Sequence, residues 1–386
     1  MPVARTMLPL QMVFALNALG LAVWFPRIPD VKEALGLDVL TLAFCLFAMP
    51  VGTMLGFLLA GRVIRRLGTR LACTWGGSGF FLVFILPGLA VDAPTLAAAL
   101  LVCGLTIATI EVAMNAKASQ TERVLGRRIM TRCHAFWSFG TVAGGLLGGL
   151  FAQERIDFLT QQLVLQPLFA AATVWFGLRL LADDPAPAPG AEAEGDRGFY
   201  RPPAALLLLC LVPIGALLVE GAMLEWSALL MREDKGASPF MTGVTFAAFA
   251  LGMAAARLSG DGLAERFGAR PVIVASGLLM GAAVATFGLA PALAVSLPAA
   301  ALVGAGCGNI YPLAMSIVGG IPSPRPQRNV ATLALIAFPA FLNGPPAIGT
   351  MAHAIGLPAA LAVLAPLGLV PLAILRRPAR APAQPQ

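Results

Sequence analysis

Long apolar runs separated by short polar breaks dominate the chain. They cover residues 7–25, 39–61, 71–90, 94–115, 130–152 and 163–181, then 204–230, 239–262, 271–290, 292–318, 329–351 and 355–375. About 20 mostly apolar residues suffice to cross a bilayer as a helix. Lipid offers no hydrogen bonds to bare backbone, so segments this apolar and this long are predicted to be helices. The pattern predicts an all-α polytopic membrane protein with 12 transmembrane helices, six before and six after a central gap. The first run is followed by "WFPRIP" and further spans, not by a small-residue cleavage site, so it reads as a span and not as a signal peptide.

The gap is "ADDPAPAPGAEAEGDRGFYRPP", residues 182–203. Rich in Pro, Ala and acid, it is too polar to cross a membrane and reads as a flexible cytoplasmic linker. It separates an N-terminal bundle (1–181) from a C-terminal bundle (204–376), which a short cytoplasmic tail (377–386) follows. The halves echo each other. "GRVIRRLGTR" at 61–70 aligns with "DGLAERFGAR" at 261–270, placing Arg66, Gly68 and Arg70 on Arg266, Gly268 and Arg270. The same offset places Gly104 on Gly304 and Glu111 on Tyr311. Two parallel, pseudo-symmetric six-helix repeats are what a transporter built by duplication would have.

Composition agrees with this reading. Of 386 residues, 58% are hydrophobic and 12% charged, against about 25% charged in soluble domains. The net charge of +7 raises the question of nucleic acid, and the placement of the charge answers it. With both termini cytoplasmic, 21 of the 26 Lys and Arg fall inside, leaving Arg27, Lys32, Arg155, Arg232 and Lys235 outside. That asymmetry is the positive-inside rule, and the positive surface faces anionic lipid, with no nucleic acid needed. Six cysteines, scattered singly through apolar stretches with no CxxC pair, read as small buried residues. With two histidines in the chain, no metal site is expected.

Carboxylates inside the spans are few: Glu111, Glu220 and Glu225. A charge at a helix centre costs about 2.5–3.5 kcal/mol on insertion scales. No Lys or Arg lies deep in a span, so no buried salt-bridge partner is predicted for any of the three. Burial without a cation makes the neutral form of a carboxyl cheaper, so Glu111 is a candidate for an exchangeable proton and Glu220 a second. The competing reading is a neutral carboxyl bonding a neighbouring helix. Asn115, four residues on, shares the helix face of Glu111. Glu225, near the outer end of the seventh run, reads as a solvated interfacial acid. Trp24 and Trp226, near the outer ends of the first and seventh runs, are either interfacial anchors or a stacking surface for a sugar or other planar-faced ligand. Gly140, Gly144, Gly145, Gly148 and Gly149 give the fifth run a small-residue face for close helix packing.

The loop pattern Gly-x3-Asp-Arg-x-Gly-x-Arg/Lys after the second run, with a weaker copy after the eighth, resembles the major facilitator superfamily. "WFPRIPDVKEALGL", "EVAMNAKA", "HAFWSFGTVAGGLLGG" and "EGAMLEWS" are similar to YbjJ-type inner-membrane proteins and, more distantly, the fucose-permease branch. The resemblance implies a central cavity lined by the first, fourth, seventh and tenth helices. Those helices carry Asn17, Glu111 with Asn115, Glu220, and Asn309 with Tyr311; Asn17, Asn115, Asn309 and Tyr311, with Trp24 and Trp226, are the candidate substrate-binding residues. It also implies a cytoplasmic gate at the loops, through Arg66, Arg70, Glu265, Arg266 and Arg270. The first loop departs from the family, with Arg65 where the acid usually stands.

Three functions are compatible with these features. The leading one is a monomeric secondary transporter in the inner (plasma) membrane that moves a small polar solute by alternating access, coupled to protons. Its alternatives are a proton-antiport exporter of drugs or metabolites, toward which the glycine-rich fifth run leans, and a transport-dead receptor in the same fold. An enzyme is not expected, since the chain has no Ser/His/Asp set, no HExxH and no GxxxxGK[ST], and no cofactor is implied. The charge asymmetry makes a direct prediction. On a background without native cysteines, a membrane-impermeant thiol reagent added outside should label a cysteine at position 92 and spare one at position 192. The reverse pattern overturns the orientation.

Overall fold

The computed structural model describes residues 3–127, 129–183, 202–321 and 326–376. Most of the expected linker and the whole expected tail therefore lie outside the described residues. The described residues are mostly helical: α1 (Val3–Ala22), α2 (Ile28–Ala34), α3 (Val39–Leu71), α4 (Gly77–Val83), α5 (Ala93–Leu125), α6 (Met130–Gln153) and α7 (Phe158–Gly177) in the first half. The second half holds α8 (Ala204–Cys210), α9 (Ile214–Leu229), α10 (Pro239–Phe267), α11 (Ala269–Leu289), α12 (Leu293–Gly308), α13 (Ile310–Gly319), α14 (Pro326–Leu342), α15 (Gly344–Ile355), α16 (Leu357–Ala362) and α17 (Val370–Leu375).

Nine stretches among the described residues are long and apolar enough to cross a membrane, against 12 predicted. One of them, Val39–Leu89, holds two predicted spans, which meet at a kink at Gly68, where the backbone leaves helical geometry (φ 78°, ψ 165°). The helix α7 is not among the nine; Gln161, Gln162 and Gln166 dilute its apolar character. The eleventh predicted run is divided between α14 and α15, at the "NGPP" stretch.

Within the first half, three helices start on the same device. Asp38, Asp92 and Asp157 each accept a hydrogen bond from the backbone N–H three residues on, at Thr41, Thr95 and Thr160. These aspartates satisfy donors that helix geometry leaves free.

The repeat is visible in the packing. Gly68 and Gly268 both take positive φ, 78° and 85°, at matching loop positions, a backbone conformation open mainly to glycine. Gly52 of α3 lies against the carbonyl of Leu101 in α5, and 200 residues later Gly252 of α10 lies against the carbonyl of Ala301 in α12. The neighbouring contact between Gly56 and Ala108 recurs as Ala256 and Gly308. Each pair brings two helix backbones together where any larger side chain would hold them apart.

By contacts the chain forms two compact units. One comprises Met1–Phe199, Met223–Ala250 and Pro345–Leu357; the other comprises Tyr200–Ala222, Leu251–Gly344 and Pro358–Gln386. In the first unit α6 packs on α1 through the predicted glycine face. A Cβ on Gly144 or Gly148 would sit 2.6 Å from the carbonyl oxygen of Leu19 or Val23, and Gly140 meets the carbonyl of Ala15. In the second unit Leu206, Cys210, Ala314, Val318, Leu333 and Ala337 form a buried cluster, with Tyr311 packed against it.

The end of α7 is tied down by an ion pair that the sequence does not announce. Lys117 of α5 is fully buried and lies 2.9 Å from Asp183 Oδ1. It also donates to Gln120 Oε1 at 2.8 Å and to the Ala182 carbonyl at 3.2 Å. Asp183 in turn accepts from the Thr69 hydroxyl and, at 3.0 Å, from the Arg70 backbone N–H just past Gly68. Lys117 is thus a buried, paired cation and not a solvated loop residue. Asp183 supplies, from the far end of the half, the acid that Arg65 leaves out of the loop.

Burial works to raise the Asp183 carboxyl, but hydrogen bonds from Thr69, Lys117 and the Arg70 N–H outweigh it and hold the group below its ordinary value. A depressed carboxyl stabilises the fold above its unfolded-state pKa, and the contribution fades as pH falls through the folded-state value. Removing one partner of a buried pair costs about 3–5 kcal/mol. With the Asp183 side chain 27% exposed, Asp183→Ala is expected to cost on the order of 2 kcal/mol. Melting in detergent should show a clear loss at neutral pH that narrows toward about pH 3. An equal loss at both would exclude the ionised carboxylate as its source.

Candidate functional site

Glu111 sits mid-way along α5, on an uninterrupted helix whose neighbours α3 and α4 belong to the same unit. It is half-buried and lines a groove of about 520 Å³ with Phe57, Val112, Asn115, Ala116 and Ser119. Its carboxylate has no ion pair and no side-chain hydrogen bond among the described residues. Asn115 does share its face, but the amide is turned back on the helix: Nδ2 donates to the Glu111 backbone carbonyl at 2.9 Å.

Glu220 is different. Arg257 Nη2 of α10 approaches its Oε1 to 3.6 Å, so the expectation that it lacks a cationic partner is corrected. The sequence places Arg257 near the far end of its own run, and a long arginine side chain brings the charge back toward α9. Glu225 is also corrected. It is 7% exposed, not a solvated interfacial acid, and its Oε2 is buried without a hydrogen-bond partner. Segment 223–250 joins the first unit, which removes this end of α9 from water.

The remaining predicted site residues are placed as follows. Asn17 is buried in α1 with its Nδ2 unpartnered. Trp24 and Trp226 are both 0% exposed, with unpartnered indole N–H groups. Full burial removes the interfacial-anchor reading, and neither ring offers an open face in this structure. Trp24 packs on Phe158, and Trp226 lies beside Gly349 of α15. These three residues lie in the first unit with Glu111 and Asn115. Glu220, Asn309 and Tyr311 lie in the second. There Asn309 is buried at the break between α12 and α13, its Oδ1 filling the space beside Gly260. It also borders a largely apolar cavity of about 600 Å³.

Among the gate residues, Arg70 is anchored, donating through Nη2 to the Leu178 carbonyl at 2.6 Å. Arg66, Glu265, Arg266 and Arg270 are exposed. Arg266 stacks over the neighbouring Phe267 ring at 5.1 Å, and Glu265 makes no ion pair among the described residues.

Sequence reasoning missed a further group of charges. Arg27, Asp30 and Lys32, in the loop and short helix after α1, meet Arg232 and Glu233 after α9. The available signal was the mixed charge in "PRIPDVKE" and "LMREDK", each placed shortly after a tryptophan.

The helix pattern, the +200 repeat and the intramembrane acids together describe a duplicated helical carrier. The sequence pattern of the Major Facilitator Superfamily matches residues 10–229 and 209–386. This chain belongs to that superfamily. Its relatives include an uncharacterized MFS-type transporter of Yersinia pestis, 31% identical over 89% of this chain and 88% of that protein. The membrane protein MosC of Rhizobium meliloti is 28% identical over 92% of this chain and 86% of its own length. Among solved structures, a mutant form of the nucleoside transporter NupG superposes with a TM-score of 0.78 at 12% identity, covering 96% of this chain and 99% of that one. A D-xylose-proton symporter gives 0.75 at 12% identity, covering 98% of each chain. At such identities the structural likeness establishes the major facilitator fold. The superfamily and the named relatives make this protein a multi-pass membrane transporter and not an enzyme.

Proposed function

We propose that the protein is a proton-coupled secondary transporter of a small polar solute, sugar-like or a related metabolite, working by alternating access in the plasma membrane. Its place in the superfamily is with the YbjJ-type and fucose-permease-like branch, with both termini on the cytoplasmic side. Asn17, Asn115, Asn309 and Tyr311 contribute polar groups for the solute, with Trp24 and Trp226 available when their surroundings open. Arg66, Arg70, Glu265, Arg266 and Arg270 serve the cytoplasmic gate.

The observation that carries this reading is Glu111: a carboxyl on a spanning helix, bordering an open groove, whose carboxylate meets no cation and no hydrogen-bond donor among the described residues. Burying polar groups is tolerable only when they are paired or neutral. Proton uptake neutralises Glu111, and proton release leaves a charge that favours whichever arrangement exposes it to water. Glu220 supports a secondary role, since Arg257 already offers compensation. The nucleoside and D-xylose carriers among the matched folds favour a hydroxyl-rich solute.

Glu111→Gln keeps nearly the same shape and mimics the protonated acid. In proteoliposomes loaded with a solute found by thermal-shift screening, it should abolish pH-driven accumulation while keeping binding and counterflow exchange. Glu220→Gln should retain a substantial part of the accumulation. A Glu111→Gln protein that concentrates solute as the parent does would make Glu111 a structural group and end the coupling assignment.

A further inference from the structure

Five charges in the loops after α1 and α9, paired with one another in the structure, are left unused by solute binding and proton coupling. They are concentrated in two short stretches, residues 27–32 and 232–233, one from each half of the sequence but both within the first compact unit. Asp30 and Arg232 each stand six residues beyond a tryptophan, Trp24 and Trp226. In the structure they meet, with Arg232 Nη2 lying 2.9 Å from Asp30 Oδ1. Beside them Lys32 Nζ lies 2.8 Å from Glu233 Oε1 and 2.9 Å from Oε2.

The polarity is crossed. Of the paired residues, the first half presents an acid and then a base, and the second a base and then an acid. The first-half side is also held ready. Arg27 is 2% exposed; it donates to Asp30 through Nε, to Gln161 Oε1 at 2.6 Å and to the Ile156 carbonyl at 2.8 Å. Asp30 therefore keeps a cation on its other oxygen when Arg232 leaves, and separation strands no lone buried charge. Lys32 and Glu233 are 17% and 41% exposed, so water can take them up at once.

Beneath the charges the two halves touch through surfaces that can part. A Cβ on Gly149 of α6 would lie 2.9 Å from Gly243 Cα of α10, and one on Gly145 would meet the Phe246 ring at 2.5 Å. Phe25 and Phe246 stack with their ring centres 5.2 Å apart. Flat rings and bare glycine backbone separate without side chains having to unlock.

We propose that Asp30–Arg232 and Lys32–Glu233 form a reversible ionic clamp between the two repeats, closing the transporter at the end that carries the α1 and α9 loops and releasing in each cycle. The proposal rests on the alternating-access reading above, but its test does not require transport. Spin labels go on two exposed positions, Glu33→Cys and Ser238→Cys, after replacement of the native cysteines, and pulsed EPR reads the distance between them. The parent should give a dominant short distance. Lys32→Glu and Glu233→Lys, each placing like charges face to face, should move the ratio of short to long populations roughly tenfold, equivalent to about 1.4 kcal/mol. The double variant Lys32→Glu/Glu233→Lys should restore the short distance. Arg232→Gln, which removes a charge without adding repulsion, should shift the ratio in the same direction as the single reversals. Raising the salt from about 0.01 to 1 M should do likewise, because exposed pairs are screened. Single reversals that leave the distances unchanged, or a double variant that fails to recover, overturn the clamp. Absent solute flux with these distance changes intact counts against the transport reading alone.

Discussion

Helices in lipid must satisfy their own backbones and then adhere without the help of water, and the rest of this structure follows from how that is done. Lipid tails are as apolar as leucine, so burying apolar surface gains little between spans, and close van der Waals contact has to serve instead. Glycines provide it. Gly140, Gly144 and Gly148 lay one face of α6 along Ala15 and Leu19 of α1 and Val23 just beyond it, while Gly145 and Gly149 turn the adjacent face toward Gly243 and Phe246. Gly52 and Gly252 make the same kind of contact at corresponding places in the two repeats. The large apolar side chains that remain exposed, such as Leu58, Leu258 and Leu335, are what such a chain offers to hydrocarbon.

Against that background the polar groups inside the protein separate into two kinds. Lys117 with Asp183, and Arg27 with Asp30, are compensated, and each ties a loop or helix end to a neighbouring element. Glu111 and Glu225 have no cation among the described residues. Compensated charges stiffen the scaffold; uncompensated carboxyls can change charge as surroundings change. That division, and not burial as such, is what supports the proposal that Glu111 serves in coupling.

The sequence shows plainly whatever depends on local pattern. The apolar runs locate the helices, the +200 echo locates the repeat, and the Gly68 and Gly268 alignment marks two loops that share a positive φ. It hides whatever depends on a partner distant in the chain. Asp183 looks like one more acid at the head of a polar linker, 66 residues from the lysine it neutralises. Arg257 looks like a loop cation until its side chain is seen approaching Glu220. Trp24, Trp226 and Glu225 resemble interfacial residues because they lie near the ends of runs. A hydropathy run carries no information about which run ends are covered by another part of the chain.

The two kinds of ion pair also differ in what they can do. Lys117 has no access to water, and losing Asp183 would leave a cation in an apolar interior. Lys32 and Glu233 sit where water reaches them, and such exposed pairs contribute about 1 kcal/mol or less. A contact of that strength biases an equilibrium without fixing it. The same chain therefore uses deep pairing to hold one half together and shallow pairing where its two repeats meet.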